Sequence, residues 1–167
     1  MTQSTTPSAH AAPRSNRSLP APMWLASVFG PDRDAQVARW IGQPGGLLLL
    51  PCGVSWDVVR MPERLGLPVL EALLGEAAET GPVLHDRDSQ LVYALVTVEP
   101  GIDRAGLPSG VRLLSSGAYL AAPSPEMEWL NRSVVWAHMP AYPRPTDPAR
   151  VVAALDMAAR PVSPLAA

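Results

Sequence analysis

Residues 45–61 read GGLLLLPCGVSWDVVRM, and the fold turns on how this stretch is divided. Leu47, Leu48, Leu49 and Leu50 form an unbroken apolar run bounded by Gly45-Gly46 and Pro51. A run that short between breakers suits a central strand buried on both faces. Cys52-Gly53 then turns the chain, and residues 54–61 (VSWDVVRM) read as a second strand. The two are expected to pair as a hairpin.

Working outward, residues 33–42 predict a short helix with Val37, Trp40 and Ile41 on one face. Asp32 is placed to cap it, and Gly42 with Pro44 to stop it. Residues 67–79 predict the clearest helix, with Leu67, Leu70, Leu73, Leu74, Ala77 and Ala78 as its apolar stripe. Pro68 falls in the first turn of that helix, where proline is tolerated, and Gly81-Pro82 ends it. Strands follow at 82–86 and 91–98, joined by the polar turn Asp86, Arg87, Asp88 and Ser89. Residues 99–110 are a Gly/Pro-rich loop. Short strands come next near 111–114, 118–122 and 133–138, then a helix over 148–159 with Asp147 as N-cap and Pro148 at its first position. Adjacent hairpins with intervening helices predict an α+β fold: a mixed, mostly antiparallel sheet with two or three helices packed on it.

The 167 residues favour one domain. Ser, Thr, Pro and Ala dominate residues 1–22, which read as a disordered tail. Residues 23–160 form the domain, and 161–167 a disordered C-terminus. A domain of roughly 140 residues buries about two-thirds of its unfolded surface, so it needs no disulfide or metal to hold it.

Hydrophobic residues make up 47% and charged residues 17%, against about 25% charged in a typical domain. A weakly charged surface leaves room for a protein partner, although an alanine- and proline-rich background gives the same numbers. All 13 basic residues are arginine, which fits codon bias and carries no functional conclusion. Net charge is −2 with no basic block, so the sequence does not advertise strong electrostatic nucleic-acid binding. Cys52 is the single cysteine, which fits a reducing cytoplasm and reads as a small buried residue rather than a nucleophile. No run of about 18 apolar residues predicts a membrane span, and the N-terminus lacks a signal-peptide pattern. P-loop, dinucleotide-binding glycine, Gly-x-Ser-x-Gly and His-Glu-x-x-His motifs are absent from the sequence. Ser115 and Ser116 before Gly117 read as a turn.

Three pieces carry a family resemblance. They are GGLLLLPCGVSWDVVRM (45–61), GPVLHDRDSQLVYALV (81–96), and VRLLSSGAYLAAPSP (111–125) followed by SVVW (133–136). In order and spacing, over about two-thirds of the chain, they resemble the N-terminal domain of bifunctional DNA primase/polymerases (prim-pol), in its divergent actinobacterial form. The resemblance implies a primase-like fold and a link to DNA replication. Active members are understood to use two carboxylates two apart on one strand, a histidine on a later strand, and a third carboxylate before an arginine strand. Such carboxylates hold paired Mg²⁺ or Mn²⁺ ions against phosphates.

Here Asp57 has Val59 two residues on and Arg60 three on. The histidine position falls on Val92 or Tyr93, and the third carboxylate position on Gly110 or Val111, just before Arg112. One carboxylate of three and no histidine imply a non-catalytic copy. Its remnant cleft would be marked by Asp57, Arg112 and Tyr119, with Mg²⁺ or Mn²⁺ only if that cleft still functions. The resemblance thus implies a binding module for nucleotide or nucleic acid.

The residues leave other readings open. Asp57 shares a strand face with Val59 and Met61, so it must be hydrogen-bonded, for instance to turn amides, or sit at the sheet rim. His85, Asp86 and Asp88 could bind a metal and support an enzyme, or be ordinary turn chemistry. His138 reads as a strand-end residue. Trp56 and Trp136 are expected in the core. Trp129 and Tyr142, in proline-flanked loops, are the candidates for an exposed interaction surface. That surface would suit a protein-interaction or regulatory subunit with no nucleotide contact, or a homo-oligomer.

Overall fold

The computed structural model describes residues 19–98 and 102–160. The fold is α+β, built on a five-stranded sheet whose named pairings are all antiparallel. Its strands are β2 (Asp57–Pro62), β3 (Val83–Asp86), β4 (Leu91–Val96), β5 (Arg112–Leu114) and β7 (Val134–His138), in the order β5-β2-β4-β3-β7. A separate two-stranded ribbon joins β1 (Leu47–Pro51) to β6 (Tyr119–Pro123). The helices are α1 (Ala21–Leu25), α2 (Arg33–Ile41), α3 (Glu63–Gly75) and α4 (Pro148–Ala158).

Period-two alternation along β2 and β4 divides the core into two layers. Val59, Met61, Val92, Ala94 and Val96 face α3 and α4, where they meet Leu65, Val69, Leu73, Val151 and Leu155. Val58, Leu95, Leu84 and Trp136 face the other way, onto Trp24, Leu25, Trp40, Trp56 and the ribbon residues Leu50, Leu120 and Ala122. The sheet is therefore the middle of three layers. As expected, Trp56 and Trp136 are core residues. The β3–β4 turn forms where the polar residues predicted it, with Asp86 Oδ1 accepting from the Ser89 amide at 3.0 Å. Asp147 caps α4 as expected, accepting from the Ala149 amide at 2.9 Å.

The expected hairpin between residues 47–50 and 54–61 does not form. Gly53, at φ +78°, closes a turn in which its amide bonds to the Trp56 carbonyl at 2.9 Å. That turn carries the chain from the ribbon into the middle sheet. The Cys52 amide instead bonds to Ala118 O, extending the ladder with β6. Nor is β1 buried on both faces: Leu47 and Leu49 are exposed while Leu50 is fully buried. A run of four leucines looks like a central strand whether one face or two are covered.

Helix α3 begins four residues earlier than expected and ends at Gly75. Pro68 consequently lies inside it, exposed, rather than in its first turn. The buried stripe is Leu65, Gly66, Val69, Leu70 and Leu73, while Leu67 and Leu74 face outward. Gly66 sets this roll, because a Cβ there would lie 2.4 Å from Val92 Cβ and the helix backbone rests directly on β4. Asp32 makes no side-chain cap to α2. Residues 21 and 22, read as the end of a tail, are buried in α1. From there a 3-10 segment, Ala26–Asp32, leads into α2. Trp24 stacks on Trp56 at 6.5 Å, so this N-terminal unit is part of the core. Residues 1–18 and 161–167 of the expected tails, and 99–101 of the loop, lie outside the described residues.

Candidate functional site

Alternation on β2 sends Val58 and Arg60 to the ribbon side of the sheet and Val59 and Met61 to the helix side. On β5, Leu113 packs on the helix side and Leu114 on the ribbon side, so Arg112 shares the ribbon side with Arg60. The register then places Arg112 directly opposite Arg60, and Arg60 directly opposite Tyr93. Directly opposed side chains are neighbours, with Cβ atoms about 5 Å apart. The row across the sheet therefore runs Arg112, Arg60, Tyr93. Arg112 is exposed and Arg60 half-buried.

Arg60 Nε is buried without a hydrogen-bond partner among the described residues. Among the described residues, neither arginine forms an ion pair. Burial raises the Tyr93 hydroxyl above its usual pKa of 10; the Asp86 carboxylate adds to the rise and the Arg60 guanidinium opposes it. Tyr93 is therefore a neutral phenol at physiological pH, able to donate a hydrogen bond. Next along the strands come the register partners Pro62 and Leu91. They line an open groove of about 460 Å³ with Glu63, Arg64, Ser89 and Gln90. Gly110, at φ +85°, brings the start of β5 close to Pro62: a Cβ there would lie 2.9 Å from Pro62 Cγ.

The other two residues of the expected remnant cleft lie elsewhere. Asp57 shares the helix-side face with Val59 and Met61, opposite to Arg112, and is 3% exposed. Its Oδ1 is buried with no hydrogen-bond partner among the described residues. Tyr119 stands 61% exposed on the ribbon, where its register partner is Pro51. Sequence spacing selected three residues that the fold puts on three different surfaces.

His85, Asp86 and Asp88 do not converge either. His85 lies on the helix side, its Nε2 2.8 Å from Glu63 Oε2, while Asp86 points to the opposite face and serves the turn. Among the described residues, no group of three or more His, Cys, Asp and Glu side chains could hold a metal ion. His138 is tied at 3.1 Å to the Thr80 carbonyl. Cys52 is 2% exposed, and burial, with help from the Asp57 carboxylate, pushes its thiol up to about 11. The thiolate needed for nucleophilic chemistry is scarce at neutral pH.

Trp129 and Tyr142 are 73% and 64% exposed, but they belong to different grooves. Trp129 borders one of about 500 Å³ with Arg87, Arg132 and His85. Tyr142 borders one of about 240 Å³ with Glu79, His138 and Arg144.

Sequence reading missed Arg60 as a site residue, treating it only as the occupant of a lost carboxylate position. Its parity with Val58 was readable; that β5 lies beside β2 was not. No family model, curated protein or solved structure matches the chain. No helix among the described residues is long and apolar enough to cross a membrane.

Proposed function

We propose that the chain is a non-catalytic binding module that takes a phosphate-bearing ligand, a nucleotide, on the row Arg112, Arg60 and Tyr93. One observation carries this reading: two arginines stand directly opposite each other on β2 and β5 with no ion pair among the described residues, and Nε of one is buried without a partner there. Like charges placed directly opposite on neighbouring strands disfavour the fold. A buried donor left unmade adds to that cost. A phosphate between the two arginines relieves both, because the guanidinium fork matches its oxygens. Tyr93 supplies a neutral donor beside them, and the groove at Pro62 and Leu91 gives space for the rest of the ligand. The resemblance to primase-polymerase domains supports the same class of ligand.

A mononucleotide fits better than a long nucleic acid. Net charge is −2, and a seat of two arginines offers few phosphate contacts. Asp57 has no part in this seat, since it lies on the other side of the sheet.

Titration calorimetry with ATP tests the reading. The wild type is expected to bind, and Arg112→Gln and Arg60→Gln to bind at least about tenfold more weakly, the loss of one charge-assisted hydrogen bond or more. Asp57→Asn is expected to stay within about twofold, with RT setting the scale of that difference. An Arg112→Gln protein that binds ATP as the wild type does would refute it. Tighter binding of a short single-stranded oligonucleotide than of ATP would move the ligand class to nucleic acid.

A further inference from the structure

The ribbon carries a second surface, independent of the arginine row. Its pairings Leu47 with Pro123, Leu49 with Ala121 and Pro51 with Tyr119 put Leu47, Leu49, Pro51, Tyr119 and Ala121 on the face turned away from the core, while Pro123 at the ribbon's end is buried. The alternate positions Leu48, Leu50, Leu120 and Ala122 pack inward. Not one of the five outward residues is charged. Leu47, Leu49 and Tyr119 are 44%, 59% and 61% exposed. Gly45 extends the face, because Leu130, itself exposed, packs against its backbone. Together these side chains present apolar surface on the order of 400 Å², a patch of the size that marks an interaction site on a monomer.

We infer that this face is a self-association surface, covered by the same face of a second copy of the chain. Sheet faces pack at about 10 Å with their side chains interdigitating. A two-fold axis through the ribbon matches apolar residues with apolar residues and brings no like charges together. The patch supplies about half of the roughly 800 Å² per partner of a standard interface, with the surrounding rim left to supply the rest. Residues 1–18 do not offer matching cover, since Met1 is their one large apolar side chain, and residues 161–167 hold only Val162 and Leu165.

Sedimentation equilibrium of the full chain between about 1 and 200 µM, a range that spans the affinities of weak and moderate dimers, decides the matter. The wild type is expected to approach twice its 17.7 kDa monomer mass at the upper end and to dissociate on dilution. Leu49→Glu places a charge at the centre of the face on an exposed side chain. It is expected to stay monomeric throughout, with an unchanged melting temperature at low concentration. Tyr119→Ser is a second variant, expected to weaken the dimer by tenfold or more. A wild type that is monomeric at 200 µM overturns self-association and would leave the face to a different protein. A folded Leu49→Glu protein that still dimerises overturns the assignment to the ribbon.

Discussion

Trp56→Ala is expected to lower the free energy of unfolding by about 3–5 kcal/mol, the range for removing a large aromatic side chain from a core. Trp56 is fully buried, stacks on Trp24 at 6.5 Å, and belongs to the cluster that joins α1, α2, the ribbon and the middle sheet. Its loss opens a cavity where these four elements meet. The loss is offset in part because the indole Nε1 is buried without a partner among the described residues, so its removal also removes an unmet donor. Trp56→Phe keeps most of the volume and drops that donor, so it is expected to cost less than about 1.5 kcal/mol. Urea unfolding followed by far-UV circular dichroism checks both. A change below about 1 kcal/mol for Trp56→Ala would mean that the N-terminal unit does not seal this layer, since full burial of such a side chain is worth more.

Gly66→Ala is the second large effect, and its sign runs against helix propensity. Alanine in a helix interior is normally worth up to about 1 kcal/mol over glycine. At Gly66, however, the added Cβ would lie 2.4 Å from Val92 Cβ and 2.8 and 2.9 Å from its methyls. Helix α3 must lift from β4, and overpacking of this kind costs about 1–3 kcal/mol. Gly75→Ala on the same helix meets nothing within 4 Å, so it is expected to be neutral or mildly stabilising. Val92→Ala makes room for the new methyl. The double variant Gly66→Ala/Val92→Ala should therefore be more stable than the sum of the two single changes allows. Strict additivity in that cycle would contradict direct contact between α3 and β4 at this point.

Much of the fold was legible because local signals and tertiary structure agree. The polar turn after Asp86, the Asp147-Pro148 start of α4 and the apolar strand 91–98 each carry a local reason for their structure, and each forms close to where it was expected. Strand pairing was not legible in the same way. Four leucines between glycines and a proline announce a strand, but nothing in them names Tyr119–Pro123 as its partner. The choice is made by the Gly53 turn and by Cys52 continuing the ladder with Ala118. The N-terminal helix was missed because a proline- and serine-rich composition hid Trp24 and Leu25, whose partners are distant. Helix α3 was read with the wrong face because its leucines outnumber the positions that can be buried, and Gly66 decides between them.

The candidate site shows the same division. Arg112 was singled out from a sequence pattern, whereas its neighbour Arg60 emerges from the pairing of β2 with β5. Asp57 and Tyr119, selected by the same pattern, are separated from Arg112 by the parity of β2 and by the ribbon's departure from the sheet.

The most direct measurement is the melting temperature of the wild type and of Arg112→Gln, with and without about 10 mM inorganic phosphate, ionic strength being matched with chloride to exclude general salt effects. Without phosphate, Arg112→Gln is expected to melt at or above the wild type, because one of two opposed charges is gone. With phosphate, the wild type should gain a few degrees by mass action while the variant gains almost nothing. Equal gains in both proteins, or none in either, would contradict an anion seat at Arg60 and Arg112.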